Sequence, residues 1–199
     1  MKLGLFGGSF DPIHRGHVAH ARAALDSLGL DRVLFLPTGR PPHKVQSRLA
    51  PAWSRFAMVE LALLDEDNLE TSPLEISESE PSFTVDSLRH FAGRFSGAEL
   101  HLLLGADSFL DLPNWRSWTE ITELATLVVF SRPGVDAESG CGEAHAELIR
   151  RGRVRWVANP PLDISATEIR RCLAAAGPVP ADWLDPRVLR YVRKYSLYR

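Results

Sequence analysis

Within the first 36 residues an apolar run, a glycine turn, a helix-periodic stretch and a second apolar run succeed one another, and no other feature narrows the fold as much. The run Lys2-Leu3-Gly4-Leu5-Phe6 predicts a strand, and Gly7-Gly8-Ser9-Phe10-Asp11-Pro12 interrupts it. A helix then opens between His14 and Gly16, carries Val18, Ala21, Leu25 and Leu28 at helical spacing, and stops at Gly29. Arg32 to Leu36 predicts the second strand. Two strands linked by one helix over so short a span form a βαβ unit with a right-handed crossover. Such a unit belongs to an open parallel sheet that binds ligands at the carboxyl ends of its strands.

The alternation continues to the last residues. Helices are expected at Ala52 to Leu64, Thr84 to Phe95, Trp115 to Leu124, Glu143 to Arg150, Ser165 to Ala176 and Pro186 to Tyr195. Strands are expected at Leu69 to Ile76, Leu100 to Leu104, Leu127 to Phe130 and Val154 to Val157. The fold class is therefore α/β, a Rossmann-like, doubly wound, mostly parallel sheet with helices on both faces. The 199 residues read as one domain, with helices from about residue 165 packed on it. The long polar stretch Pro37 to Pro51 is either a functional loop or a mobile one, and Pro133 to Gly142 reads as a surface loop.

A formal net charge of −2 gives no general attraction to nucleic acid or membrane. Anion binding must then come from local placement of His, Lys, Arg and backbone N–H groups. Cys141 and Cys172 lack the spacing of a redox or metal motif and are read as free thiols. With no secretory leader and no membrane-length apolar run, the expectation is a soluble, cytoplasmic protein.

Two constellations carry chemistry. In the first, Gly7 and Gly8 let the backbone approach a phosphate, and the following helix turns its free N–H groups and positive dipole end to the same place. His14 and His17, three apart, share one face of the first helical turn, and His20 continues the spacing deeper in the helix. Each histidine taken alone reads as an ordinary surface or structural residue, and a zinc site lacks the thiolates or glutamate that would complete it. No metal ligand is assigned. In the second constellation, Ser165 and Glu168 have the form of a capping box at a helix start, a structural reading complete without any ligand. The hydroxyls of Ser165 and Thr167, the first-turn N–H groups and the fork of Arg170 also make a second anion site.

The run Gly7 to His17 resembles the GGxFDPxHxGH signature of the nucleotidylyltransferase superfamily, with every fixed letter present, and its HxGH core is shared more loosely with class I aminoacyl-tRNA synthetases. Ile164-Ser165-Ala166-Thr167-Glu168-Ile169-Arg170 resembles the same family's ISxTxIR motif. The resemblance implies that His14 and His17 contact the ATP phosphates, His17 nearest the α-phosphate, and that Gly7, Gly8, Ser9, Phe10, Ile164, Ser165, Thr167 and Arg170 help hold ATP. Three more segments resemble nicotinate mononucleotide adenylyltransferases. Pro41-Pro42-His43-Lys44 is similar to their PPHK loop, which places His43 and Lys44 near phosphate groups. Pro81 to Leu88 is similar to their PSYTxxTL segment, with Phe83 standing for Tyr and Ser87 for the second Thr. Leu104 to Trp118 is similar to their GxDxLxxxxxW region, which implies Gly105 and Asp107 at the nucleotide, with Asp107 on ribose hydroxyls, and Trp115 stacked on a pyridine ring. Trp118 is then the core member of the tryptophan pair. N–H groups at Thr84 and Arg116 would receive the nicotinate carboxylate. The ending Tyr191 to Arg199 is similar to the family's terminal helix.

What this implies is adenylyl transfer from ATP, with Mg²⁺, to nicotinate mononucleotide, giving deamido-NAD and pyrophosphate. The attacking phosphate monoester has a second pKa of about 6 and needs no general base, so placement and charge neutralisation suffice. Another acceptor such as phosphopantetheine, cytidylyl transfer, a synthetase fragment and a nucleotide-binding module without turnover are the rival readings. ATP and nicotinate mononucleotide are the expected partners, without nucleic acid or membrane; a homo-oligomer is left open.

Overall fold

The structure is a computed structural model that describes residues 1–39, 49–77, 82–131, 141–158, 162 and 164–199. Strands form at Lys2–Gly8 (β1), Arg32–Pro37 (β2), Leu69–Thr71 (β3), Glu99–Gly105 (β4), Ala125–Ser131 (β5) and Val154–Ala158 (β6). Helices form at Arg15–Leu28 (α1), Ala52–Ala62 (α2), Leu74–Ser77 (α3), Thr84–Arg94 (α4), Ala106–Asp111 (α5), Trp118–Leu124 (α6), Glu143–Arg150 (α7), Ala166–Ala174 (α8) and Pro186–Lys194 (α9). The six strands make one parallel sheet in the order β3-β2-β1-β4-β5-β6. That order is the Rossmann one, whose reversal between β1 and β4 opens a ligand crevice at their carboxyl ends.

Consecutive buried residues, rather than alternating ones, run through β1, β2 and β4. Central strands covered on both faces read this way. Leu3, Leu5, Val33, Phe35, Leu127, Val128 and Val129 are all fully enclosed. β1 aligns Leu3 with Leu100 and Leu5 with Leu102, and β4 aligns Leu102 with Leu127, so apolar layers continue from strand to strand. The edge strand β6 is covered only in part, with Val154 and Val157 buried and Arg155 and Ala158 exposed. Packing divides the chain into two compact units. One comprises 1–7, 20–34 and 83–161; the other comprises 8–19, 35–82 and 162–199. Among the described residues no helix is long and apolar enough to cross a membrane, and both cysteines are free.

Three local expectations change. The strand expected over Leu69 to Ile76 ends at Thr71, because Pro73 cannot donate to a ladder and the Ser72 hydroxyl accepts the Leu74 N–H at 3.3 Å, which starts α3 instead. The helix expected from Trp115 begins at Trp118: Pro113 sits in a 3-10 turn, Leu112–Asn114, and Ser117 adopts a left-handed φ of 51°. The short helix α5, absent from the sequence reading, fills the interval after β4. The loop expectations within 40–48 and 132–140 lie outside the described residues.

Helix ends explain two left-handed residues. After α9 the Leu197 N–H reaches the Val192 carbonyl at 3.1 Å and the Ser196 N–H reaches Arg193 at 3.3 Å, with Ser196 at φ 51°. This is a Schellman motif built on serine where glycine is usual. α8 ends the same way on Ala176.

Candidate active site

β1 delivers the glycine turn. Gly7 is exposed, and a Cβ built there would meet no protein atom within 4 Å, so its backbone lies open to a ligand. A Cβ on Gly8 would instead stand 3.1 Å from the Phe10 ring. Phe10 takes a left-handed φ of 44°, a conformation that costs an L-residue about 1–2 kcal/mol. Its ring is 2% exposed and packs 5.4 Å from Phe35 and edge-on, at 5.1 Å, to His17. The ring of Phe10 is therefore not presented to a ligand; it is a wedge that sets the turn and backs the histidine.

The two imidazoles stack with centroids 3.7 Å apart and an interplanar angle of 27°, so they share one face as the spacing predicts. The His14 backbone N–H donates to His17 Nδ1 at 3.2 Å. With Nδ1 accepting, the His17 proton resides on Nε2, which is thereby made a donor. Gly16 makes this arrangement sterically possible: a Cβ there would fall 3.0 Å from His14 Nδ1. The same Cβ would lie 3.8 Å from the Ile164 Cβ, which brings the late helix start against the first histidine turn. His20 is used differently, stacked on Phe130 at 4.6 Å.

The second constellation joins the first through Arg170. Its Nη1 donates to the Asp11 main-chain carbonyl at 2.7 Å across 159 residues of sequence, and its Nη2 donates to Thr167 Oγ1 at 3.2 Å. The capping box does not form. Ser165 occupies the N-cap with extended backbone (φ −113°, ψ 125°), yet its hydroxyl makes no capping bond to the first-turn N–H groups. In the first helical bond of α8 the Ile169 N–H donates to the Ser165 main-chain carbonyl, at 3.0 Å.

Asp11 is the hub of the turn. Its carboxylate, on a residue only 2% exposed, accepts on Oδ1 from the Ala50 N–H at 3.0 Å and from the Tyr198 hydroxyl at 2.7 Å. Burial foremost, then the Asp11 charge and this bond, push the Tyr198 phenol far above its ordinary 10.0, so the hydroxyl stays a donor at neutral pH. Beneath lies Arg55, 1% exposed. Its Nε donates to the Ala50 carbonyl at 3.0 Å, its Nη1 to Ser9 at 2.7 Å, and its Nη2 to Thr38 at 2.6 Å and Gly39 at 3.3 Å. One guanidinium thus ties the glycine turn to both ends of the segment that contains His43 and Lys44, which themselves lie outside the described residues. Burial lowers its pKa, and the Asp11 charge opposes that shift.

The remaining site residues follow β4 and open α4. Gly105 caps α5 with extended backbone, and Asp107 in the first turn of α5 is exposed. Phe83 is the N-cap of α4 and Thr84 its first residue. The Arg116 guanidinium lies 4.6 Å above the Phe83 ring and 4.0 Å from Asp86. The Trp115 indole N–H donates to Asp111 Oδ2 at 3.2 Å. Trp115 is half-buried, but so is Trp118, so the assignment of Trp118 to the core is corrected: Leu112, Phe109 and Ile121 fill the interior there.

The cytidylyltransferase-like family matches residues 5–172, which include both constellations. A protein of Chromobacterium violaceum named "Probable nicotinate-nucleotide adenylyltransferase" is 40% identical over all of this chain and 99% of its own length. One of the same name from Thermus thermophilus is 41% identical, with both chains fully covered.

The chain belongs to the nicotinate-nucleotide adenylyltransferase family.

Its fold is also that of the Plasmodium falciparum nicotinic acid mononucleotide adenylyltransferase complexed with NaAD, with a TM-score of 0.79 and 21% identity over 99% of this chain and 97% of that one. In this nicotinate-nucleotide adenylyltransferase family member, three residues at the glycine turn stand outside the site residues expected from sequence: Arg55, Asp11 as a side chain, and Tyr198. Arg55 carried a signal. It is a cation three and four positions before Met58 and Val59, on the face α2 buries, where a charge is kept only if fully hydrogen-bonded. Tyr198 lies in the ending that resembles the family's terminal helix, but nothing in that resemblance points to its partner, 187 residues away.

Proposed function

We propose that this chain transfers the adenylyl group of ATP to nicotinate mononucleotide, releasing deamido-NAD and pyrophosphate, as a single nucleotidyltransferase domain. The observation that carries the reading is the junction of the stacked His14–His17 pair with Arg170 at Asp11, within a family matched over the full chain. An oxygen of the acceptor's phosphate attacks the ATP α-phosphorus. The bond between that phosphorus and the bridging oxygen of pyrophosphate breaks, and no covalent enzyme intermediate is needed. His17, with Nε2 as donor, neutralises charge on the transferred group, while His14, Ser165, Thr167 and Arg170 hold the polyphosphate. Gly7, Gly8 and Ser9 present backbone to it. Asp107 takes ribose hydroxyls, Gly105 lets the nucleotide approach, and Trp115 stacks on the pyridine.

Mg²⁺ accompanies ATP. Among the described residues no group of three or more His, Cys, Asp or Glu could cage a metal, and Oδ1 of the Asp11 carboxylate already accepts from N–H and O–H donors. These residues suit an ion carried by phosphates and water, which when bound supplies charge neutralisation. The acid is distinguished from the amide by N–H groups at Thr84 and Arg116, with the Arg116 guanidinium on Phe83 adding positive charge near the start of α4. An amide NH₂ cannot accept these donors. Pyrophosphate release is measured with ATP and, separately, nicotinate mononucleotide, nicotinamide mononucleotide and phosphopantetheine. Nicotinate mononucleotide should give the highest kcat/KM; equal values for acid and amide refute the carboxylate recognition, and release only with phosphopantetheine refutes the acceptor.

A further inference from the structure

We propose that Tyr198 is a positioning residue for ATP: its hydroxyl holds the Asp11 carboxylate so that Arg170 keeps its charge for the polyphosphate. The inference rests on the reading above for the role of Arg170. Asp11 and Arg170 make only a long ion pair, 4.0 Å, without a hydrogen bond between guanidinium and carboxylate. Arg170 Nη1 takes the Asp11 main-chain carbonyl at 2.7 Å and stays 4.0 Å from Oδ2. The reason lies on the other carboxylate oxygen. Oδ1 receives the Tyr198 hydroxyl at 2.7 Å and the Ala50 N–H at 3.0 Å, which fix the plane of the group and satisfy part of its charge.

Two features show that Tyr198 is held for this contact. Its backbone is left-handed, φ 66°, a strained state for an aromatic residue that persists only where the surroundings impose it. It follows the Schellman turn at Ser196, which reverses the chain out of α9. Burial also keeps the hydroxyl protonated, so it donates at every physiological pH. Without it, a buried carboxylate would lose a donor, and Arg170, 4.0 Å from Oδ2 with a side chain 35% exposed, is a donor within reach. Rotation of the guanidinium inward would satisfy Asp11 bidentately and withdraw the fork from ATP.

The test uses the full chain with Tyr198→Phe, Asp11→Asn and the double variant. ATP binding is followed by calorimetry, which needs no acceptor, and both KM values by pyrophosphate release. Tyr198→Phe should weaken ATP binding and raise KM for ATP about tenfold, the effect of diverting one charged hydrogen bond. The KM for the acceptor should stay within about twofold of wild type, since no binding interaction with it is removed. In the Asp11→Asn background the tyrosine substitution should have no further effect on ATP, because the carboxylate that competes for Arg170 is gone. Unchanged ATP affinity in Tyr198→Phe overturns the proposal, as does an equal loss in the Asp11→Asn background. Equal rises in both KM values, or unfolding seen by circular dichroism, assign Tyr198 to the fold and overturn it too. Wild-type ATP binding without pyrophosphate release from any acceptor would instead count against the proposed reaction and leave the ATP comparison readable.

Discussion

Arg55→Met removes the tie beneath the glycine turn while nearly keeping its volume. Three short bonds, 3.0, 2.7 and 2.6 Å, to the carbonyls of Ala50, Ser9 and Thr38 are lost. Left buried without donors, such groups cost about 1–3 kcal/mol each. Against that, the variant no longer has to keep a guanidinium out of water, which offsets part of the loss. Taking the lower half of the range, the net destabilisation is about 3–5 kcal/mol, as for removal of one partner from a buried charged network. With a urea slope of about 2 kcal/mol per molar, the unfolding midpoint should fall by about 2 M. Tryptophan fluorescence during urea titration measures it. Arg55→Lys keeps the charge but not the fork, and should recover only part of the midpoint. A fall under about 0.5 M for Arg55→Met, hence about 1 kcal/mol, would refute the view that this side chain fastens the turn.

His17→Ala should lower kcat about 100-fold, the loss of one preorganised donor, in single-turnover assays with both substrates saturating; near-normal turnover would remove His17 from the chemistry. His101 on β4 is buried, and that burial chiefly depresses its pKa below the ordinary 6.5, so the unfolded chain takes up the proton first. Its contribution to stability is therefore present above pH 6.5 and is lost as pH falls through the lower folded value, and His101→Gln should flatten the urea midpoint between pH 7.5 and 5.5. Ser196→Gly relieves a left-handed φ of 51° and should raise the melting temperature, with a gain of about 0.5–1 kcal/mol; a loss would show that the serine side chain matters more than its backbone.

Much of this molecule is legible in the order of its residues, and the places where legibility fails have physical causes. The strands β1, β2, β4 and β5 are apolar runs because both sheet faces are covered, and such runs announce themselves. The nearness of the two imidazoles is legible in their spacing, whereas their stacking depends on the His14 N–H bond to His17 and on the bare Gly16, with His14 standing just before α1. α5 was passed over because its six residues are too few to show a period. Ser165 and Glu168 spell a capping box, but the hydroxyl does not bond the first turn, so local chemistry that permits a bond does not compel it. The partners of Asp11 are less visible still: Ala50, Arg170 and Tyr198 stand 39, 159 and 187 residues away, and no local pattern encodes which donor a buried carboxylate will recruit.

Gly16 has a consequence beyond the contact it permits. Its hydrogen atom occupies the one direction in which a methyl would press on the imidazole of His14, 3.0 Å away. A larger residue at 16 would thus oblige the His14 ring to give by a few tenths of an ångström, and that ring is the one held 3.7 Å from His17.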